Sequence, residues 1–133
     1  MIDLLTQAER DFKLVESIYS SLPEPWAIQA IMYHIQQAIE KLLKVILLLN
    51  GARYPREHNI RRLMSLCTGI ELPEELEDLA DTLSLWEAGV RYDSTVLTSV
   101  RKLDQCIALY NKLHHLVVSL ACDTDATNYF EQP

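Results

Sequence analysis

Glycine is scarce in this sequence, with three in 133 residues, and cysteine is no more common. So few glycines leave no place for a phosphate-cradling glycine loop, in which backbone amides must approach the ligand closely. Cys67, Cys106 and Cys122 are scattered, odd in number and without Cys-x-x-Cys spacing, which argues against a disulfide framework and a zinc site. They read as small buried apolar residues of a reducing cytoplasm. His114 and His115 are adjacent in a helical pattern and point about 100° apart, so they cannot share one metal without distortion. No Ser-His-Asp order occurs either, and neither a metal nor a cofactor is expected. Alternating apolar runs, an Asn-Gly hairpin signal and internal repeats are also missing. The longest unbroken aliphatic run is Val45 to Leu49, and no basic segment followed by an apolar block opens the sequence, so the expectation is a cytoplasmic protein without signal peptide or membrane span.

What the sequence does have is the profile of one globular domain, 49% hydrophobic and 23% charged. A net charge of −7 excludes broad nonspecific nucleic-acid binding, which needs many cations to displace counterions from phosphates. The charge is polarised, however. Six of the twelve Lys and Arg residues fall between Lys41 and Arg62, where Glu57 is the only acid, whereas Glu71 to Asp81 holds six acids and no base.

Apolar residues recur at spacings of three and four through most of the chain, the period of a helix with one face in a core. They predict a first helix of about five turns from Ile2. The Leu22-Pro23-Glu24-Pro25 break is followed by a central helix from Trp26 to Asn50, stopped at Gly51. Asn59 caps a short third helix through Cys67. The fourth helix starts at Leu72-Pro73-Glu74-Glu75 and ends near Gly89, and Asp93 or Ser94 caps a long last helix. The expected architecture is all-α: an up-and-down helical bundle of four long helices plus one short helix over residues 1–122, with a polar C-terminal tail over 123–133.

The central helix carries the first candidate site. Ile28 to Leu49 supplies a core stripe, and His34, Gln37, Lys41 and Lys44 line up opposite it, either as a ligand-binding row or as a solvated face in which Glu40 and Lys44 form an i,i+4 pair. The second candidate follows immediately. Arg53, Arg56, Arg61, Arg62 and His58 suit an anion, because a guanidinium binds phosphate oxygens through a planar fork; alternatively, the arginines pair with the acids of Glu71 to Asp81 or face water. Arg53 and His58 can together hold a scissile phosphate and move a proton. Trp26 and Trp86, at helix ends, read as boundary packing, with base stacking the alternative.

The run His34-Ile35-Gln36-Gln37-Ala38-Ile39-Glu40-Lys41-Leu42-Leu43-Lys44, then Gly51, His58-Asn59-Ile60 and Leu63, and finally Ala88-Gly89-Val90-Arg91-Tyr92, resembles the HEPN ("higher eukaryotes and prokaryotes nucleotide-binding") domain over about residues 2 to 122. The resemblance implies a helical bundle, a homodimer, and one of two roles. One is as partner of a minimal nucleotidyltransferase in a toxin–antitoxin-like pair, with a nucleotide or RNA as ligand and Tyr92 added to the ligand-binding set. The other is a metal-independent ribonuclease, whose signature is Arg, four to six residues, then His near the start of the last long helix. There this chain has Arg91 but no histidine after it at that spacing, whereas Arg53 and His58 have the spacing in another loop. A third possibility is a dimeric interaction module without catalysis.

Overall fold

The computed structural model describes residues 2–84 and 100–123, all helix and connecting loop. Five helices follow in order: α1 (Ile2–Ile18), α2 (Pro25–Leu49), α3 (Ile60–Leu66), α4 (Glu74–Ser84) and α5 (Val100–Asp123), with a single 3₁₀ turn at Tyr19–Ser21 between the first two. The expected ends of α4 near Gly89 and of α5 near Asp93, together with Trp86, Arg91, Tyr92 and the tail from Thr124, lie outside the described residues.

Local chemistry sets the boundaries. Pro25 occupies the first turn of α2, where its missing amide hydrogen is no loss. At the other end Gly51 takes φ 81°, a left-handed conformation that L side chains rarely adopt. Around it the Ala52 amide donates to the Leu47 carbonyl at 2.9 Å and the Gly51 amide to Leu48 at 3.0 Å, closing a Schellman cap. The Asn59 side chain accepts from the Arg62 amide at 3.0 Å and so caps α3. Glu74, Glu75 and Glu77 sit in the first turn of α4, where the helix dipole favours them.

α2 is the axis of the bundle and packs against α1, α3, α4 and α5. Ile31, Met32, Ile35, Ile39, Leu42, Leu43 and Ile46 are fully buried, as expected for its core stripe. α1 runs antiparallel to α5: Glu9 meets His114, Phe12 stacks on Tyr110 and Tyr19 meets Asp104. Two local expectations need correction. Cys67 and Cys106 are buried, and loss of hydration pushes their thiols up to about 11 and about 12, but Cys122 is exposed. Trp26 is 56% exposed rather than packed at a boundary.

Candidate functional site: an acid–base ladder under a basic loop

The long central helix is wrapped on more than one side, so its polar residues do not form a solvated face. Glu40 and Lys44, a surface pair on one reading of the sequence, are 2% and 7% exposed, and Gln36, one turn earlier, is fully buried. At intervals of four these three make a buried polar ladder along α2. The row His34, Gln37 and Lys41 beside it is half-buried, and each of its members already has a partner.

The partner of two of them is Asp11, on α1. Its carboxylate accepts from His34 Nδ1 at 3.0 Å and from Lys41 Nζ at 2.7 Å. Burial pushes the Asp11 carboxyl up, but the hydrogen bonds and charges of His34 and Lys41 outweigh it and hold it below the ordinary aspartate value of 3.8. The tie therefore stabilises the fold above that value and is lost as pH falls through the lowered one. Asp11→Asn is expected to destabilise the protein by about 1–2 kcal/mol at pH 6. That deficit should shrink toward zero as urea titrations are taken down below pH 3.8.

Gln37 Nε2 donates to Gln36 Oε1 at 2.9 Å, and Gln36 Nε2 has no partner among the described residues. Glu40 reaches across to the loop after α2, where its Oε1 lies 2.5 Å from His58 Nδ1. Burial raises the Glu40 carboxyl above its ordinary value, more than Lys44, His58 and Lys41 lower it. One proton lies in the short contact with His58, so Nε2 is the ring nitrogen left for other chemistry, on a side chain 69% exposed. A second tether lies one helical turn away, where Lys44 Nζ sits 5.5 Å from the centroid of the Tyr54 ring. Glu57 completes the loop by accepting from the backbone amides of His58 and Asn59, both at 3.1 Å.

The loop between α2 and α3 is thus pinned to the helix by Tyr54 and His58, and its arginines are turned outward. The side chains of Arg53, Arg56 and Arg62 are exposed and make no hydrogen bond or ion pair among the described residues. Arg61 differs: its guanidinium binds Asp81 and Glu77 of α4 at 2.8 Å each, one of the two outcomes of the alternative reading, pairing with the α4 acids or facing water. Of the residues singled out from the sequence, the structure gathers Lys44, Arg53, Arg56 and His58 around one loop. It gathers His34 and Lys41 around Asp11, and Gln37 against Gln36. Asp11 is the member that sequence reasoning missed.

The chain is thus a helical bundle that buries a Gln-Glu-Lys ladder beneath the loop after α2. The matching family model is the HEPN domain, over residues 1–120, and the chain belongs to that family. No curated protein and no solved structure matches it. No helix among the described residues is long and apolar enough to cross a membrane.

Proposed function

We propose that this HEPN protein binds a phosphate-bearing ligand, a nucleotide or RNA, through Arg53, Arg56 and His58, and acts with a minimal nucleotidyltransferase partner as a homodimer in a toxin–antitoxin-like pair. The observation that carries the ligand site is the set of exposed arginines without acidic partners, held on a loop tethered to the core. Guanidinium forks on such a loop suit phosphate oxygens, and Arg62 adds a third cation at the start of α3. His34, Gln37, Lys41 and Lys44 then serve the site from beneath, through the packing of α1 and the position of Tyr54, and Tyr92 remains a proposed contact on family resemblance.

Nucleotides and short single-stranded RNAs should be titrated by fluorescence anisotropy against the wild type and an Arg53→Ala/Arg56→Ala variant. The variant is expected to bind about tenfold or more weakly with an unchanged far-ultraviolet circular dichroism spectrum. Equal affinity in both proteins sinks the site. Copurification with the product of a neighbouring nucleotidyltransferase gene tests the partner.

A second reading is favoured by one observation. A buried carboxyl orienting an exposed histidine is the arrangement that prepares an imidazole for proton transfer, and Glu40 holds His58 in that way. In a metal-independent ribonuclease His58 would take the 2′-hydroxyl proton while Arg53 holds the phosphate. RNA cleavage in EDTA that His58→Ala abolishes would support this role. Loss with Arg91→Ala alone would place the chemistry elsewhere.

A further inference from the structure

On the side of the bundle formed by α1 and the N-terminal half of α5 lies a cleft of about 450 Å³, a volume in the range of small-molecule sites. Two contacts link α5 to α1 and to the turn after it beside the cleft. The Phe12 and Tyr110 rings stack with centroids 4.0 Å apart, and the Tyr19 hydroxyl donates to Asp104 Oδ1 at 2.7 Å. Val15 and Ile107 line it with apolar surface. Glu16, Asp104 and Asn111 also line it, and no cation is among its described lining residues.

The two carboxylates there are acceptors, and the Tyr19 hydroxyl donates to one of them. The hydrogen bond to Asp104, helped by burial, raises the Tyr19 phenol above its ordinary value, so the phenol keeps its proton and orients the carboxylate. Asp104 Oδ2 and the Glu16 carboxylate have no partner among the described residues. Two carboxylates and two aromatic side chains around an apolar floor are complementary to a positive charge carried on a hydrocarbon body.

We propose that the cleft between α1 and α5, lined by Glu16, Asp104, Val15 and Ile107, binds a small organic cation: a protonated amine or guanidinium on an apolar body. The ammonium or guanidinium hydrogens bond the two carboxylates and the body lies on the aliphatic floor. This site is separate from the arginine loop and has the opposite charge preference, so it stands or falls independently of the phosphate site.

The probes are 2-phenylethylamine and agmatine, with 2-phenylethanol and phenylacetate as neutral and anionic controls, followed by amide chemical shifts on the full chain. The amines are expected to saturate at roughly millimolar concentration, with shifts centred on residues 12–19 and 104–111. Glu16→Gln and Asp104→Asn should each weaken binding about tenfold, and added salt should weaken it further. Both substitutions are at exposed positions, so the fold should persist. Binding of 2-phenylethanol as tight as that of the amine, or affinity unchanged in the Glu16→Gln/Asp104→Asn variant, would overturn the assignment. Shifts confined to other helices would do the same.

Discussion

Glu40→Ala is expected to destabilise the protein by about 3 kcal/mol or more, among the largest effects available from a single polar side chain. The carboxyl is 2% exposed, holds His58, and is the acid nearest in sequence on the face of α2 that buries Lys44. Its removal takes the buried partner from His58 and opens a gap beneath the loop, beside a lysine itself 7% exposed. Glu40→Gln keeps the shape and one hydrogen bond to His58, so its deficit should be nearer 1–2 kcal/mol. The pH dependence separates the two causes. Because burial raises the Glu40 carboxyl above its ordinary 4.5, its contribution is fully present below that value and declines as pH rises through the raised one. Glu40→Gln should therefore cost most near pH 4 and less at pH 7. Urea unfolding at both values measures this, and a loss under about 1 kcal/mol for Glu40→Ala would mean that the loop closes over the gap.

Leu43→Ala is the second large expected effect, at about 3 kcal/mol within a usual range of 2–5. Leu43 is fully buried on α2, and its carbonyl lies 4.0 Å from the Cys67 thiol just after α3. A cavity there cannot be filled by a shift of α2 alone, because neighbouring helices pack around that helix. Leu14, 45% exposed on α1, gives the comparison: Leu14→Ala should lie within about 0.5 kcal/mol of wild type if that surface faces water. A concentration-dependent loss at Leu14 would instead show that a second protomer covers it.

The helices were legible because spacing, proline and glycine act locally. Pro25, Gly51 and Asn59 each do in the structure what their chemistry implies in the sequence. The site was only half legible. A polar row on α2 was visible, but periodicity cannot count how many neighbours a helix has, and a central helix buries residues that a peripheral one would leave wet. A solvated Glu40–Lys44 pair is therefore one of the two readings the sequence allows, and both residues are buried in the structure. The link between His34, Lys41 and Asp11 spans separations of 23 and 30 residues, beyond any local pattern. One signal was available: Asp11 falls three residues after Ala8 and four before Val15, within the row that α1 buries, and a charged residue in an apolar register calls for a buried partner. The arginine cluster separated only in three dimensions, where Arg61 turns to α4 and Arg53, Arg56 and Arg62 do not.

The pinned loop has a further consequence for ligand kinetics. Ordering a backbone residue costs about 1–2 kcal/mol in conformational entropy, and here folding itself freezes the segment from Gly51 to Asn59 through His58 and Tyr54. A ligand then meets a surface that is already assembled, and association should follow a single concentration-dependent phase. Cutting a tether moves that freezing to the encounter, so apparent affinity falls in proportion to the fraction of molecules in which the loop is seated. Glu40 would thereby govern the occupancy of a site it never touches.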